Sequence, residues 1–335
     1  MDDRYKYDFY ENRQIEKELQ LPKIRRGEGY LPSEALVRAV NVALMLQKPL
    51  LVTGSPGTGK SELAYHIADR FKWGEPEYFA TRTDSTATDL LYRYDSLAHF
   101  HKVNIDRNST GELTAQEIEA SFIHYVALGR AICDSIGQNE ERQPRRRVVL
   151  IDEIDKAPRD LPNDILSIIE TMMFDVPELK TAKATDQCFY RKEGDDTFKP
   201  VVILTSNSEK TLPEAFLRRC VYFHIDMPGK EQLMKIILEK QRIMRGLDGN
   251  SAERFIDLFL QLSDLMTGKR PATHELILWI WWMQQQGFSV DDLIMYKIDS
   301  PDADLLLSGM SILAKEEQDL KAVKEAIKTG SIAER

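Results

Sequence analysis

Pro49-Leu50-Leu51-Val52-Thr53-Gly54-Ser55-Pro56-Gly57-Thr58-Gly59-Lys60-Ser61-Glu62-Leu63-Ala64 is the stretch whose reading decides the fold. A short apolar run breaks into glycines, and beyond them Leu63, Ile67 and Phe71, with Ala64 and Ala68, recur every fourth position. That change of period predicts a buried strand, a tight loop and a helix. Residues Gly54 to Ser61 match the phosphate-binding pattern GxxxxGK[ST] in the strand-to-helix setting the pattern requires. The chemistry follows from the residue types. Gly54, Ser55, Pro56, Gly57, Thr58 and Gly59 turn backbone N–H groups toward one centre, and the following helix adds its positive N-terminal end. Lys60 then reaches the β- and γ-phosphates, while the Ser61 hydroxyl ligates Mg²⁺.

Working outward, Val148-Val149-Leu150-Ile151 ends in Asp152-Glu153, and Val201-Val202-Ile203-Leu204 ends in Thr205-Ser206-Asn207. Each puts polar side chains at the C-terminal end of an apolar strand. A further run, Val221 to Ile225, closes at Met227-Pro228-Gly229. With helical patterns between the runs, this predicts an α/β fold: a parallel sheet sandwiched by helices, spanning residues 31–228 with an insertion at about 84–147. Ser33 caps a helix ahead of the first strand, and residues 1–30 form an N-terminal segment with little expected share in the core. After Gly229 the apolar residues Leu233, Ile237, Phe255, Phe259, Leu262 and Leu276 to Met283 keep helical spacing, so 229–335 reads as a small all-α lid with C-terminal helices. Two adjacent carboxylates ending a buried strand are costly unless a cation and a water use them. Asp152 is therefore the candidate metal partner beside Ser61, and Glu153 the candidate base for the attacking water. Together with the loop they point to a nucleoside-triphosphatase.

Composition narrows the setting. The 335 residues are 42% hydrophobic and 30% charged, with a net charge of −9. That argues against nucleic-acid binding through the overall field, leaving only a local basic stripe open. Three scattered cysteines fit neither a disulfide scaffold nor a zinc ribbon and suit a reducing cytoplasm. The longest apolar stretch, Leu276 to Met283, is far too short to cross a bilayer, and no export signal is expected.

The loop, Val148 to Asp155, Thr205-Ser206-Asn207 and Leu217-Arg218-Arg219-Cys220 resemble the Walker A, Walker B, sensor 1 and arginine-finger motifs of AAA+ ATPases, from about Gly29 to about Gly287. Asp155-Lys156-Ala157-Pro158, Pro213 to Cys220 and Arg270-Pro271-Ala272-Thr273-His274-Glu275 are similar to the MoxR and CoxD-like branch, which lies near the McrB-type modules. The resemblance implies ATP and Mg²⁺ as cofactors, a homo-oligomer, usually a hexameric ring, and ATP bound between subunits. It implies sensor 1 at Asn207, an arginine finger at Arg219 with Arg218 as its neighbour, and sensor 2 at Arg270, although arginine here precedes proline where many relatives have Ser-Pro-Arg. It further implies a chaperone-like remodeller with a separate von Willebrand factor A domain protein as partner. The alternatives are a nucleic-acid-directed or defence-system motor of the McrB type, or a nucleotide-gated oligomeric scaffold that hydrolyses little.

Four features carry competing readings. Asp106 to Glu117 has the oxygen spacing of an EF-hand loop, against a turn followed by a capped helix. Arg142 and Arg145-Arg146-Arg147 read as a solvated loop or as a basic contact for DNA or an acidic partner. Trp279, Trp281, Trp282 and Met283 read as lid packing or a partner surface, and Tyr92-Arg93-Tyr94 as core or pore lining.

Overall fold

The computed structural model of the chain describes residues 25–105, 118, 121–137, 143–179, 188–189, 197–244, 247–287 and 301–329. In chain order the elements are α1 (Glu34–Leu46), β1 (Leu50–Gly54), α2 (Lys60–Phe71), β2 (Glu77–Ala80), α3 (Ala87–Leu91), β3 (Tyr92–Tyr94), α4 (Ser96–Ile105), β4 (Ile123–Tyr125), α5 (Ala127–Ser135), β5 (Val148–Asp152), α6 (Leu161–Thr171), β6 (Phe174–Asp175), β7 (Cys188–Phe189), β8 (Val201–Ser206), α7 (Glu214–Leu217), β9 (Val221–Ile225), α8 (Lys230–Met244), α9 (Gly249–Leu265), α10 (Thr273–Gln285), α11 (Pro301–Leu313) and α12 (Glu317–Thr329). The described residues fall into two compact units. One lies within Pro32–Gly54 and Lys60–Ile225, the other within Met1–Leu31, Ser55–Gly59 and Asp226–Arg335.

The first unit is built on a parallel five-stranded sheet of order β2-β5-β8-β1-β9. Alternate residues explain how it is covered. Leu51, Val149, Ile151, Val202 and Leu204 join one core with Leu128 and Ile132 of α5, Ile165 and Leu166 of α6 and Phe216 of α7. Leu50, Val52, Leu150 and Ile203 point the other way and are just as buried, and α2 packs on β1, β5 and β8. Strands buried on both faces need continuous apolar runs, which is why β1, β5 and β8 were legible in the sequence. The strand β2 was not. It lies at the sheet edge with Tyr78 exposed, and its Glu-Tyr-Phe-Ala contains no apolar run.

Register places the strand ends. Thr53 of β1 is level with Ser206 of β8, Ile151 of β5 with Leu204, and Ala80 of β2 with Asp152. The C-terminal ends of four strands thus share one rim, three of them bringing polar side chains, Thr53, Asp152 and Ser206, to the place where parallel α/β sheets bind ligands.

Between β2 and β5 the chain forms α3, the antiparallel pair β3–β4, and α5. A capping box at Thr86 and Asp89 starts α3. Tyr92 is core, its hydroxyl donating to Glu178 Oε2 at 2.9 Å, and Tyr94 hydrogen-bonds His99 Nδ1. The EF-hand-like Asp106 to Glu117 lies outside the described residues. The arginine run is structural: Arg145 Nε and Arg147 Nε donate to Asp134 Oδ2 at 2.9 and 2.5 Å, and Arg147 also pairs with Glu77 at 3.6 Å. Arg146 donates to the Thr197 carbonyl at 2.6 Å and lies 5.3 Å from the centre of the Trp73 ring. Arg142 lies outside the described residues.

In the second unit α8, α9, α10, α11 and α12 enclose Leu233, Ile237, Phe255, Phe259, Leu276, Trp279, Met283, Met310 and Val323. Trp279 is fully buried edge-on to Phe255, with ring centres 5.5 Å apart, so it serves packing. The described end of the N-terminal segment also belongs here. Gln232 Nε2 donates to the Leu31 carbonyl at 3.3 Å, and the Lys240 ammonium donates to the Glu28 carbonyl at 2.5 Å.

Candidate nucleotide site

β1 stops at Gly54, and α2 begins at Lys60. Between them, the Thr58 hydroxyl donates to the Ser55 carbonyl at 2.8 Å and rounds off the loop. Gly57 and Gly59 hold φ of +78° and +88°, conformations that cost an L side chain strain. Space forbids one as well. A Cβ on Gly57 would lie 2.8 Å from Ala272 Cβ and one on Gly59 would lie 2.9 Å from Tyr30 Cε2, so the loop is tightly enclosed within its own unit.

Lys60 is buried, with its ammonium donating to the Gly54 carbonyl at 2.8 Å. Burial pushes its pKa down, against the opposing pull of Asp152, Asp155 and Glu153. In the first turn of α2, the Ser61 hydroxyl donates to Asp152 Oδ1 at 2.7 Å. The Thr205 hydroxyl donates to that same oxygen and accepts the Glu153 N–H at 2.9 Å. Register is the cause, because Leu204 opposite Ile151 sets Thr205 beside Asp152. From the edge strand, the Tyr78 hydroxyl makes a long 3.4 Å bond to Asp152 Oδ2.

Glu153 takes φ +57° and ψ +48°, turning the chain out of β5 into the 3-10 turn at Ile154–Lys156. Its carboxylate accepts Lys156 Nζ at 2.6 Å on Oε2 and Asn207 Nδ2 at 3.1 Å on Oε1. The bond to Glu153 raises the Lys156 pKa.

The fold therefore brings Lys60, Ser61, Asp152, Glu153 and Asn207 onto one rim. Arg218 and Arg219 are engaged elsewhere. Arg219 Nε pairs with Glu170 of α6 at 3.0 Å, while Arg218 Nε and Nη2 both donate to Glu214 of α7. Arg270 belongs to the helical unit, 3.8 Å from Asp264 and largely exposed. Sequence reasoning assigned no role to Thr205, Asp155, Lys156, Tyr78 or Glu170. Only Thr205 carried a signal, as a hydroxyl residue between a buried strand and a polar turn.

A hydroxyl and a carboxylate oxygen 2.7 Å apart, beside an ammonium, form an oxygen donor set that fits Mg²⁺ carried in on phosphates. Among the described residues no group of three or more His, Cys, Asp and Glu gathers to hold a metal by protein ligands alone. Nor, among them, is any helix long and apolar enough to cross a membrane.

The family model described as AAA domain (dynein-related subfamily) matches residues 49–220, just over half of the chain. The chain belongs to this family. The AAA match runs from the residue before β1 to Cys220, the residue before β9, and so takes in Gly54 to Ser61, Asp152, Glu153, Asn207, Arg218 and Arg219. An AAA-type P-loop ATPase domain on a parallel sheet flanked by helices is the class to which this chain is assigned. No curated protein matches the chain.

Proposed function

We propose that the protein is a Mg²⁺-dependent ATP hydrolase that works as a homo-oligomeric ring, usually hexameric in the branch it resembles, and remodels a partner protein. The observation that carries the hydrolytic reading is the shared rim, where Ser61 and Thr205 converge on Asp152 while Asn207 contacts Glu153. Gly54 to Gly59 would cradle the phosphates, Lys60 would leave the Gly54 carbonyl for phosphate oxygens, and Ser61 and Asp152 would hold Mg²⁺. The chemistry such an ion would supply there is charge withdrawal from the phosphates. Glu153 accepts the proton of a water attacking the γ-phosphorus as the bond to the β-phosphate oxygen breaks, and Asn207 orients that water.

Arg219 of a neighbouring subunit completes the site, and Arg270 acts as sensor 2. Arg219 suits the finger role better than Arg218, because its pairing to Glu170 uses Nε and Arg218 commits both Nε and Nη2 to Glu214. The chaperone-like role and a separate von Willebrand factor A domain partner rest on the residues shared with MoxR-like proteins. A cytoplasmic setting rests on the cysteine pattern. Arg145, Arg146 and Arg147 are held by internal partners, which weakens the nucleic-acid-directed reading.

The test is steady-state ATP and GTP turnover, with and without DNA, across protein concentrations. Turnover should need ATP and Mg²⁺, rise with oligomer formation, ignore DNA and vanish in Glu153→Gln and Arg219→Ala. Lys60→Ala should lose nucleotide. Stimulation by DNA, or full turnover by a dilute monomer, overturns the proposal. Glu153→Gln held in ATP should retain its protein client.

A further inference from the structure

Asp155 has the least exposed carboxylate on the rim (2%), and the hydrolytic scheme does not use it. It sits in the 3-10 turn that follows Glu153. Its Oδ1 accepts the Asn207 N–H at 3.3 Å, and its Oδ2 accepts the Glu209 N–H at 2.9 Å. Between those residues Ser208 holds φ +61° and donates its N–H to Ser206 Oγ at 2.9 Å. β8 ends at Ser206, so the N–H groups beyond it leave the sheet ladder and need other acceptors. A buried carboxylate with both oxygens on backbone N–H groups is a strong and directional one.

We propose that Asp155 is a positioning residue for hydrolysis: its carboxylate clamps the turn after β8 so that the Asn207 amide is aimed at the Glu153 carboxylate. The proposal rests on the reading of Glu153 and Asn207 given above. Glu153 and Asp155 lie two positions apart at the start of one turn, so a single local conformation sets both the base and the clamp that brings Asn207 to it. The two carboxylate oxygens of Asp155 accept the N–H groups of residues 207 and 209, and its charge also acts on Lys60 through space. The clamp acts on hydrolysis through the backbone of residues 207–209 and is read in kcat, whereas a change in nucleotide affinity reports the separate effect on Lys60.

The test is a double-mutant cycle on ATP turnover by the full chain, with kcat and KM measured separately for the parent, Asp155→Asn, Asn207→Ala and the double variant. Asp155→Asn keeps the shape but presents an amide N–H₂ where an acceptor is needed, and should lower kcat roughly 10- to 100-fold, as a displaced catalytic contact does. In the Asn207→Ala background the same change should add less than about a twofold effect. Parental kcat in Asp155→Asn overturns the proposal, and so does an equal loss in both backgrounds, which marks a merely structural role.

Should Asp155→Asn fail to fold, Ser206→Ala removes the companion bond to Ser208 and leaves the carboxylate in place. It must lower kcat in the parent and not in Asn207→Ala, and failure to do so also overturns the clamp. Parental kcat in Asn207→Ala instead defeats the assignment of Asn207, and the clamp falls with it.

Discussion

Thr205→Val removes one oxygen from the centre of the rim and keeps the side-chain shape. Thr205 is fully buried, donates to Asp152 Oδ1 and accepts the Glu153 N–H at 2.9 Å. Losing a hydrogen bond to a carboxylate costs about 1.5–3 kcal/mol, and an N–H left without an acceptor costs about 1–3 kcal/mol. Exchanging the hydroxyl for a buried methyl returns about 1 kcal/mol. The net loss is about 1.5–5 kcal/mol, a fall of roughly 3–20 °C in the melting temperature of a domain this size. The effect on chemistry is larger in relative terms. Asp152 keeps the Ser61 hydroxyl but loses its second tether, and the Glu153 backbone is no longer pinned to β8. Misplacement of both carboxylates should lower kcat roughly 100-fold. Nucleotide affinity should change less, because the loop and Lys60 are untouched. Thermal melts with single-turnover hydrolysis measure both effects, and Thr205→Ser, which keeps the hydroxyl, should recover most of each. A Thr205→Val protein that melts and hydrolyses like its parent refutes the reasoning.

Asp134→Asn should cost about 2–4 kcal/mol in chemical denaturation, since it removes the buried negative charge that the Arg145 and Arg147 guanidinium groups share. Burial pushes the Asp134 carboxyl up, but its bonds to Arg145 and Arg147 and their charges outweigh this and hold it below its ordinary value. The stability it contributes is therefore present above about pH 4 and lost as pH falls through the lowered folded value, so parent and variant should converge in acid. Gly57→Ala combines φ +78° with a Cβ 2.8 Å from Ala272 Cβ and should weaken ATP binding at least about 10-fold by isothermal titration, with Ala272→Gly restoring only the steric part. Burial pushes the Cys220 thiol up to about 12, so peptide mapping should find little alkylation of Cys220 in the native chain by iodoacetamide at neutral pH and rapid alkylation after unfolding. Trp279→Ala should cost about 3–5 kcal/mol in the helical unit, read as an earlier melt of that unit.

Periodicity made β1, β5, β8, α1, α8, α9 and α10 legible, because strands covered on both faces and helices with one apolar face write their burial into spacing. The edge strand β2 escaped because half of its side chains face outward, and the pairs β3–β4 and β6–β7 are too short to carry a period. The arginine run shows the limit most plainly. Three consecutive positive charges look like a contact for an anion, yet Asp134, in the last turn of α5, is a buried acid that absorbs two of them. Charge counting along a chain cannot see a partner that only folding supplies.

By itself, the sequence determined the phosphate loop, the strand carrying Asp152 and Glu153, the polar turn with Asn207 and the change from sheet to helices near Gly229. Each rests on residue types at short, regular separation, which local backbone geometry converts directly into structure. Only the tertiary structure decided that Thr205 bridges Asp152 and Glu153, that Asp155 holds the turn at Asn207, and that Arg219 leans on Glu170. Those contacts depend on the register of parallel strands separated by whole crossover segments. No local rule fixes which residues of β5 and β8 come level, because that alignment is settled by how α5, α6 and the sheet pack together.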